Sequence, residues 1–398
     1  MMKNVRQSVP SLGLMITLVG FPQISESIFT PVLPQLRRAF AVSANQVQLT
    51  MSTYFVAFAV GVLLWGQLAD KWGRRPAMLA GIALYLVGNL GLYFSQQFSV
   101  LISWRLVQAL GASAGSVVTQ TIMRESFSGI TGAKVFARTS AAMALAPALG
   151  PLIGGVMQTY FGYRSVFATL VTMAVAVGLY ALSCLPETQP QDSRLPHVRQ
   201  WQVVRRLLRD PIVWGYGLLI GGINGILFSY YAEAPFIFMT HFGYSAVQYG
   251  WLGLVLASAS LLGALLVNRL LNFWTPEQLA MRGLIFSVAA SGGLILAATW
   301  QQPVVMIGGI FLTFLGLNVT LPNALNRALI GYEEVMGSAS GWFSLGYYLL
   351  VSALTYGMSW LHNGAIQTLP WYMAVLSMGM LLAFVGLVLP RVREKVTA

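Results

Sequence analysis

The segment Gly66-Gln-Leu-Ala-Asp70-Lys-Trp-Gly73-Arg74-Arg75-Pro76 separates two apolar stretches of the sequence, residues 47–69 and 76–95. A helix needs about 20 apolar residues to cross a bilayer, and each stretch is long enough. The charges gather between the two stretches, where lipid headgroups and water can solvate them. The segment therefore predicts a short loop at one membrane face, between two membrane-spanning helices.

Single residues of this loop carry separate expectations. Gly66 is expected to let a neighbouring helix approach closely, because it has no side chain. Asp70 ends the first helix and can pair with an arginine or with the positive N-terminus of a helix. Gly73 permits a tight reversal of the chain. Arg74 and Arg75 are expected to anchor the loop at the membrane face.

The alternation of apolar stretches and charged loops runs along the whole chain. Of its 398 residues, 57% are hydrophobic and only 9% are charged, whereas soluble domains average about 25% charged residues. Such a chain is stable when lipid is its solvent. We predict twelve membrane spans, at residues 11–34, 47–69, 76–95, 98–123, 133–158, 163–186, 211–239, 247–268, 277–299, 303–326, 335–361 and 370–390.

The longest polar segment, residues 187–210, divides these spans into two sets of six. It predicts a linker between an N-terminal six-helix bundle, residues 1–186, and a C-terminal one, residues 211–398. Within the linker, residues 201–208 are expected to form a short amphipathic helix on the membrane surface.

The basic residues predict an orientation. If the N-terminus is cytoplasmic, only Arg37, Arg38 and Arg164 face the other side, and Arg105 lies inside a span. The remaining Lys and Arg are then cytoplasmic, which by the positive-inside rule places both termini in the cytoplasm of a bacterial inner membrane. The same asymmetry accounts for the net charge of +12, so no nucleic-acid partner is expected.

At its place between spans 2 and 3, the opening segment resembles the G-x-L-x-D-x-x-G-R-[KR] motif of the major facilitator superfamily. The resemblance implies an all-α integral membrane protein with the major facilitator fold, twelve transmembrane helices in two six-helix bundles. It also implies that the loop is a conformational latch and not a substrate site.

In span 4, Arg105-Leu-Val-Gln108-Ala-Leu-Gly111 resembles the R-x-x-Q-G-x-G motif of the same family, with Ala109 in place of the first glycine. An arginine inside a span is costly and usually faces the bundle interior. The resemblance implies that Arg105 takes part in proton transfer or in a polar network. The alternative is a structural arginine that bonds helix carbonyls.

Span 5 contains a third family-like motif, Ala146-Pro147-Ala148-Leu149-Gly150-Pro151-Leu-Ile-Gly154-Gly155. Its small residues and prolines predict a helix that bends and packs closely. The G-P-x-x-G-G spacing resembles the antiporter motif of drug:proton exporters, and the chain is most similar to their Bcr/CflA-like subgroup. This resemblance implies a proton-coupled exporter of drugs or small metabolites.

Two acidic residues lie well inside spans, Glu26 in span 1 and Glu233 in span 7. Burying a carboxylate in lipid costs at least about 2.5 kcal/mol on insertion scales, so such a group is protonated or paired. In this family both spans line the central cavity. We therefore expect Glu26, Glu233 and Arg105 to couple transport to protons. The alternative is that nearby Ser, Tyr or Asn side chains satisfy the carboxyls.

One departure from the subgroup concerns the end of span 1. Bcr/CflA-like proteins often have Asp in a D-x-x-x-P pattern there, whereas this chain has Ser27 four residues before Pro31, and Glu26 precedes it. A shift of one residue rotates a helical side chain by about 100°.

The spans that line the cavity in this fold carry amide and aromatic side chains. Such a wall suits amphipathic or aromatic ligands, through stacking and a few hydrogen bonds. The same residue types also form belts at the lipid interface. The expected substrate-binding residues are Gln23, Tyr54, Phe58, Gln108, Gln120, Asn224, Tyr230, Tyr231, Asn318, Asn323, Trp342 and Tyr347, with Tyr348 beside them.

Other functional classes receive less support. The histidines His197, His241 and His362 are scattered in loops, and no catalytic or metal motif occurs, so neither an enzyme nor a cofactor is expected. Cys184, the single cysteine, allows no disulfide within the chain, and we expect it to be buried. An exporter of an endogenous metabolite such as a siderophore and a proton-coupled importer stay open. The expected partners are the bilayer, protons and a small-molecule substrate, with the protein a monomer.

Overall fold

The computed structural model describes residues 9–127, 129–189 and 200–392, which form helices and no strand. The first half contains α1 (Leu12–Ser27), α2 (Leu33–Ala39), α3 (Ala44–Trp72), α4 (Arg74–Phe94), α5 (Phe98–Ser126), α6 (Gly129–Met143), α7 (Ala146–Phe161) and α8 (Tyr163–Cys184). The linker helix is α9 (Gln200–Arg209). The second half contains α10 (Pro211–Pro235), α11 (Ala246–Trp251), α12 (Gly253–Leu270), α13 (Pro276–Thr299), α14 (Pro303–Arg327), α15 (Met336–Leu361) and α16 (Thr368–Ala383).

The twelve predicted spans correspond to these helices. Ten helical segments in the described ranges are long and apolar enough to cross a membrane. The other two spans are α15, with 26 residues, and the consecutive helices α6 and α7. The twelve-helix fold in two bundles is thereby confirmed.

Several spans are interrupted, and two of the interruptions have a local cause. A 3-10 turn, Thr30–Val32, joins α1 to α2 and contains Pro31. A π-helical turn, Phe236–His241, follows Pro235 at the end of α10. Proline removes a backbone donor and crowds the preceding turn, so the regular helix cannot continue unchanged. A second π-helical turn, Phe384–Val388, extends α16, and a 3-10 turn, Glu333–Val335, precedes α15.

The two halves pack against each other at two places. At one, α3 contacts α15, and at the other, α7 contacts α11 and α12. The start of α3 lies beside the end of α15, and α7 lies beside the start of α11, at the face of the bundle opposite the start of α1. We call this face the closed end.

The linker helix α9 docks on the second half. Its Val203 and Leu207 are buried in a small cluster with Tyr332, and the Trp342 indole donates to Gln200 Oε1 at 3.0 Å. The predicted amphipathic helix is thus present. Its apolar face covers the protein, which corrects the expectation that the helix simply lies on the membrane.

Outside the membrane spans, a polar contact fixes the end of the linker to the second half. The Tyr332 hydroxyl donates to Asp210 Oδ2 at 3.1 Å, and the Arg206 guanidinium lies over the Tyr332 ring at 4.4 Å. Burial, together with the Asp210 carboxylate, raises the pKa of Tyr332 to about 12. The phenol therefore stays protonated and remains a donor.

Candidate functional site

Arg105 lies in the first third of α5 and is completely buried. Its Nε donates to the Thr50 carbonyl at 3.3 Å and its Nη1 to Gln108 Oε1. The guanidinium lies over two rings, 3.9 Å from the centroid of Phe29 and 4.2 Å from that of Tyr54. Arg105 thus bonds both a helix carbonyl and a side-chain network, so both roles that the sequence left open have a physical basis.

The network continues within the first half. Gln108 Nε2 donates to Asn89 Oδ1, and Asn89 Nδ2 donates to the Tyr85 carbonyl at 3.0 Å. Gln108 is completely buried inside the first half. The structure therefore places this expected substrate residue in a network that positions Arg105.

Glu26 is the next-to-last residue of α1 and is 7% exposed. Its carboxylate has no hydrogen bond or salt bridge within the described residues. Arg105 interacts with it electrostatically, as do Tyr347 and Tyr348 from the other half. Glu26 therefore faces the space between the halves.

The neighbouring Ser27 faces elsewhere. Its hydroxyl donates to the Gln23 carbonyl at 2.9 Å, and a Cβ at Gly150 of α7 would overlap this hydroxyl. Ser27, which occupies the aspartate position of the D-x-x-x-P pattern, thus packs against α7. The one-residue shift to Glu26 turns the carboxyl toward the other half instead.

Aromatic rings from both halves meet beside Glu26. The ring centroids of Phe55 and Phe228 are 4.2 Å apart, those of Phe58 and Tyr348 are 4.9 Å apart, and those of Tyr347 and Tyr348 are 4.4 Å apart. We call this group the central aromatic cluster; its members are Tyr54, Phe55, Phe58, Phe228, Tyr231, Tyr347 and Tyr348.

Glu233 has a different environment, at the closed end. It is 1% exposed and accepts a hydrogen bond from Gln48 Nε2 of the first half at 2.7 Å. His362 Nδ1 lies 2.8 Å from Glu233 Oε2 and 2.9 Å from Oε1. In this conformation the Glu233 carboxylate is held in a contact between the halves. The expectation that it couples transport to protons stays a prediction.

His362 is the residue that sequence reasoning missed. It follows α15 directly, and a single histidine in a loop carries no motif. The one available signal was its place after span 11, at the same membrane face as the end of span 7, where Glu233 approaches.

Further hydrogen bonds join the halves at the closed end. Asn45 Nδ2 donates to the carbonyls of Ser359 at 2.6 Å and His362 at 3.1 Å. The Ser352 hydroxyl donates to the Ser52 carbonyl at 2.8 Å. These bonds lie along the first turns of α3, so the halves are sealed at this end.

The G-P-x-x-G-G motif contributes to the same seal. A Cβ at Gly154 would overlap the Ile28 carbonyl, and one at Gly155 would overlap the Ala246 carbonyl of the other half. From the opposite side, a Cβ at Gly250 would lie 2.8 Å from the Pro151 carbonyl oxygen. Backbones can approach this closely only where side chains are absent.

At the other end, the charged loop is held by a buried arginine. Arg74 Nη1 lies 2.6 Å from Asp70 Oδ1, and its Nε and Nη2 bind the Glu125 carboxylate at the end of α5. Paired donation of this kind is strong and fixes the geometry. Glu277 and Arg327 form a salt bridge of 2.9 Å at the corresponding ends of α13 and α14, with the two charges exchanged.

Glu187 caps the start of α4. Its carboxylate accepts from the backbone N–H of Arg74 at 2.9 Å and of Arg75 at 3.2 Å, where a helix N-terminus favours negative charge. Gly73 has a φ of 103°, and a Cβ there would overlap Glu187. At Gly66, by contrast, a Cβ would meet only Val117 at 3.8 Å, so the expected close helix approach is wrong there.

That close approach occurs earlier in α3. A Cβ at Gly61 would overlap the Ser113 hydroxyl and would lie 3.0 Å from the Leu110 carbonyl oxygen of α5. The expectation of burial is also wrong for Cys184, which is exposed at the end of α8.

The other expected wall residues are dispersed. Asn224, Asn318 and Asn323 donate to carbonyls of their own helices at 2.8 Å. Tyr230 is buried against Phe314, and Gln120 is exposed. Gln23 is half-buried on α1, whereas Trp342 binds the linker helix.

A sealed end between two helical halves and a carboxyl facing the space between them define a membrane transporter and not an enzyme. The family profile of the Major Facilitator Superfamily matches residues 15–356, and the chain belongs to this family.

The chain is also similar to individual relatives and to a solved structure. An "Uncharacterized transporter" of Rickettsia bellii is 32% identical, over 93% of this chain and 95% of the relative. A "Chloramphenicol resistance protein" of Pseudomonas aeruginosa is 30% identical, over 82% of this chain and 78% of the relative. The structure of the E. coli xylose transporter XylE in a partially occluded inward-open conformation has a TM-score of 0.75 and 12% identity, over 95% and 97% of the two chains.

Proposed function

We propose that the protein is a proton-coupled exporter of small amphipathic molecules, such as drugs, that works by alternating access in the bacterial inner membrane. The observation that carries the proposal is Glu26, a buried carboxyl without a bonded partner in the described residues, next to rings from both halves. A carboxyl can exchange a proton for a substrate, and the aromatic faces attract apolar and cationic groups.

The direction of transport rests on two supports. The G-P-x-x-G-G motif of exporters seals the two halves here through Gly155 and Gly250. A similar protein is named for chloramphenicol resistance, and others, from E. coli and Klebsiella pneumoniae, are named multidrug resistance proteins. We place the chain nearest the Bcr/CflA-like exporters.

The orientation follows from charge. We propose that both termini are cytoplasmic, since the loops at their end of the bundle carry most of the Lys and Arg. The closed end is then the outer one, and this conformation faces inward. Protons, the bilayer and one small molecule are the proposed partners of a monomer.

The decisive experiment is transport into proteoliposomes with an acidic lumen. Labelled chloramphenicol and a cationic dye serve as two probes, and the expected result is accumulation that collapses when the pH gradient is dissipated. Glu26→Gln should abolish accumulation, and Glu334→Gln, which changes an exposed carboxyl, should not.

Two outcomes would overturn the proposal: accumulation without a gradient, or full accumulation by Glu26→Gln. Accumulation only with the opposite gradient would indicate an importer. If neither probe moves, a metabolite-export screen of a deletion strain tests the second candidate, an exporter of an endogenous molecule such as a siderophore. The hydroxyls of Tyr347 and Tyr348 beside Glu26 favour that candidate, because they can hydrogen-bond a polar molecule.

A further inference from the structure

We propose that His362 is a second proton-binding residue of the transport cycle, and that the proton it shares with Glu233 holds the outer gate shut. The inference rests on the proposed proton coupling. It adds the place at which a proton acts on the conformation of the protein, apart from Glu26.

The first support is that the contact joins both halves. Glu233 extends from α10, His362 follows α15, and Gln48 belongs to α3 of the first half. Asn45, also on α3, donates to the His362 backbone carbonyl. A movement of His362 therefore directly changes the contacts with the first half.

The second support is the gradient of exposure across the contact. The Glu233 side chain is 2% exposed and the His362 side chain 10%. The imidazole is thus the member of the pair nearer to the solvent at the closed end, and a proton from that side reaches it first.

The third support is electrostatic. Glu233 as carboxylate and His362 as imidazolium form a neutral buried pair, which their 2.8 Å contact stabilises. If the proton leaves, a carboxylate remains buried without a countercharge, and such a state is strongly unfavourable. Separation of the halves would let water solvate Glu233, so loss of the proton favours opening.

The other titratable groups nearby do not supply that countercharge. Tyr230 and Tyr231 precede Glu233 on α10, and Tyr249 lies on α11; all three are buried. Arg37 and Arg38 on α2, and His241 at the end of the π-helical turn, are exposed. The cationic partner in contact with Glu233 among the described residues is His362.

This arrangement gives the proton a direction. Imidazole is the side chain that ordinarily changes charge between about pH 5 and 8. When the gate is open to an acidic exterior, His362 takes up a proton, the neutral pair forms, and the outer end closes. An exporter needs that order, because proton uptake outside must follow substrate release and return the empty carrier inward.

The test measures the gate itself and not transport. In a Cys184→Ser background, spin labels are placed at Gln96→Cys and Gln302→Cys, exposed positions in outer loops of the two halves. Distance distributions in lipid are recorded at several values between about pH 6 and 8. We expect one short distance at low pH and a growing population of a longer distance at high pH.

Variants separate the titrating residue from a structural one. We expect the ratio of closed to open molecules to fall about tenfold over this range in the parent protein and less than about twofold in His362→Gln. His362→Lys keeps a charge and should stay closed throughout. His241→Gln, the control at the same end, should behave like the parent.

A parent-like pH response of His362→Gln would overturn the inference, as would a parent protein whose distances do not depend on pH. The label distances do not require a transported substrate. A gate that titrates in a protein without gradient-driven accumulation would therefore refute the proposed export and leave the gate standing.

Discussion

Glu26 and Glu233 occupy corresponding helices of the two halves, yet their surroundings differ. Glu26 has no bonded partner in the described residues and faces the central aromatic cluster. Glu233 is fixed between Gln48 and His362. The difference teaches that matching positions in a repeated fold can serve different purposes. One carboxyl lies beside the central aromatic cluster, and the other lies in the seal.

The sharpest way to break this comparison is to neutralise each carboxyl separately. We expect Glu26→Gln to lower proton-driven accumulation in proteoliposomes at least about 100-fold, and Glu233→Gln only about tenfold, equivalent to about 2.7 and 1.4 kcal/mol. Glu233→Gln can still hydrogen-bond, so its gate continues to form without a proton. Equal losses in initial-rate measurements would argue that both carboxyls have the same role.

A second prediction concerns the backbone contacts of the seal. Gly155→Ala places a methyl group on the Ala246 carbonyl, and overpacking of this kind costs about 1–3 kcal/mol. The spin-label distances should therefore show roughly a tenfold loss of the closed population. Gly66→Ala meets only ordinary contact with Val117 and is the matched control. The same shift in both variants would exclude a specific role for Gly155.

The smallest expected effect comes from the loss of one neutral hydrogen-bond donor. Asn45→Ala removes the donor to Ser359 and His362, and a neutral hydrogen bond contributes about 0.5–1.5 kcal/mol. The closed population should fall roughly twofold to tenfold with its pH dependence retained. Loss of the pH dependence would instead show that Asn45 positions the titrating pair.

Much of the fold could be predicted from sequence because lipid imposes a simple pattern. Each span is apolar over its length, so α3 and α14 agree with expectation to within a few residues. Motifs formed by neighbouring residues could also be predicted: Gly73 has the positive φ that a tight reversal requires.

Contacts between distant segments could not be predicted in this way. Nothing local in the sequence indicates that His362 meets Glu233, 129 residues away, or that Glu125 and Glu187 hold Arg74. Likewise, the periodicity of a helix does not indicate which glycine allows a neighbouring helix to approach closely. In α3 this glycine is Gly61 and not Gly66.

The docking of the linker has a mechanical consequence. On one side, Gln189 donates to the Asp70 carbonyl of the first half at 2.7 Å. On the other, Gln200 is held by Trp342 of the second half. The eleven peptide steps between these anchors reach at most about 40 Å. The linker is therefore anchored at both ends, and its length limits how far the two halves can move apart on that side.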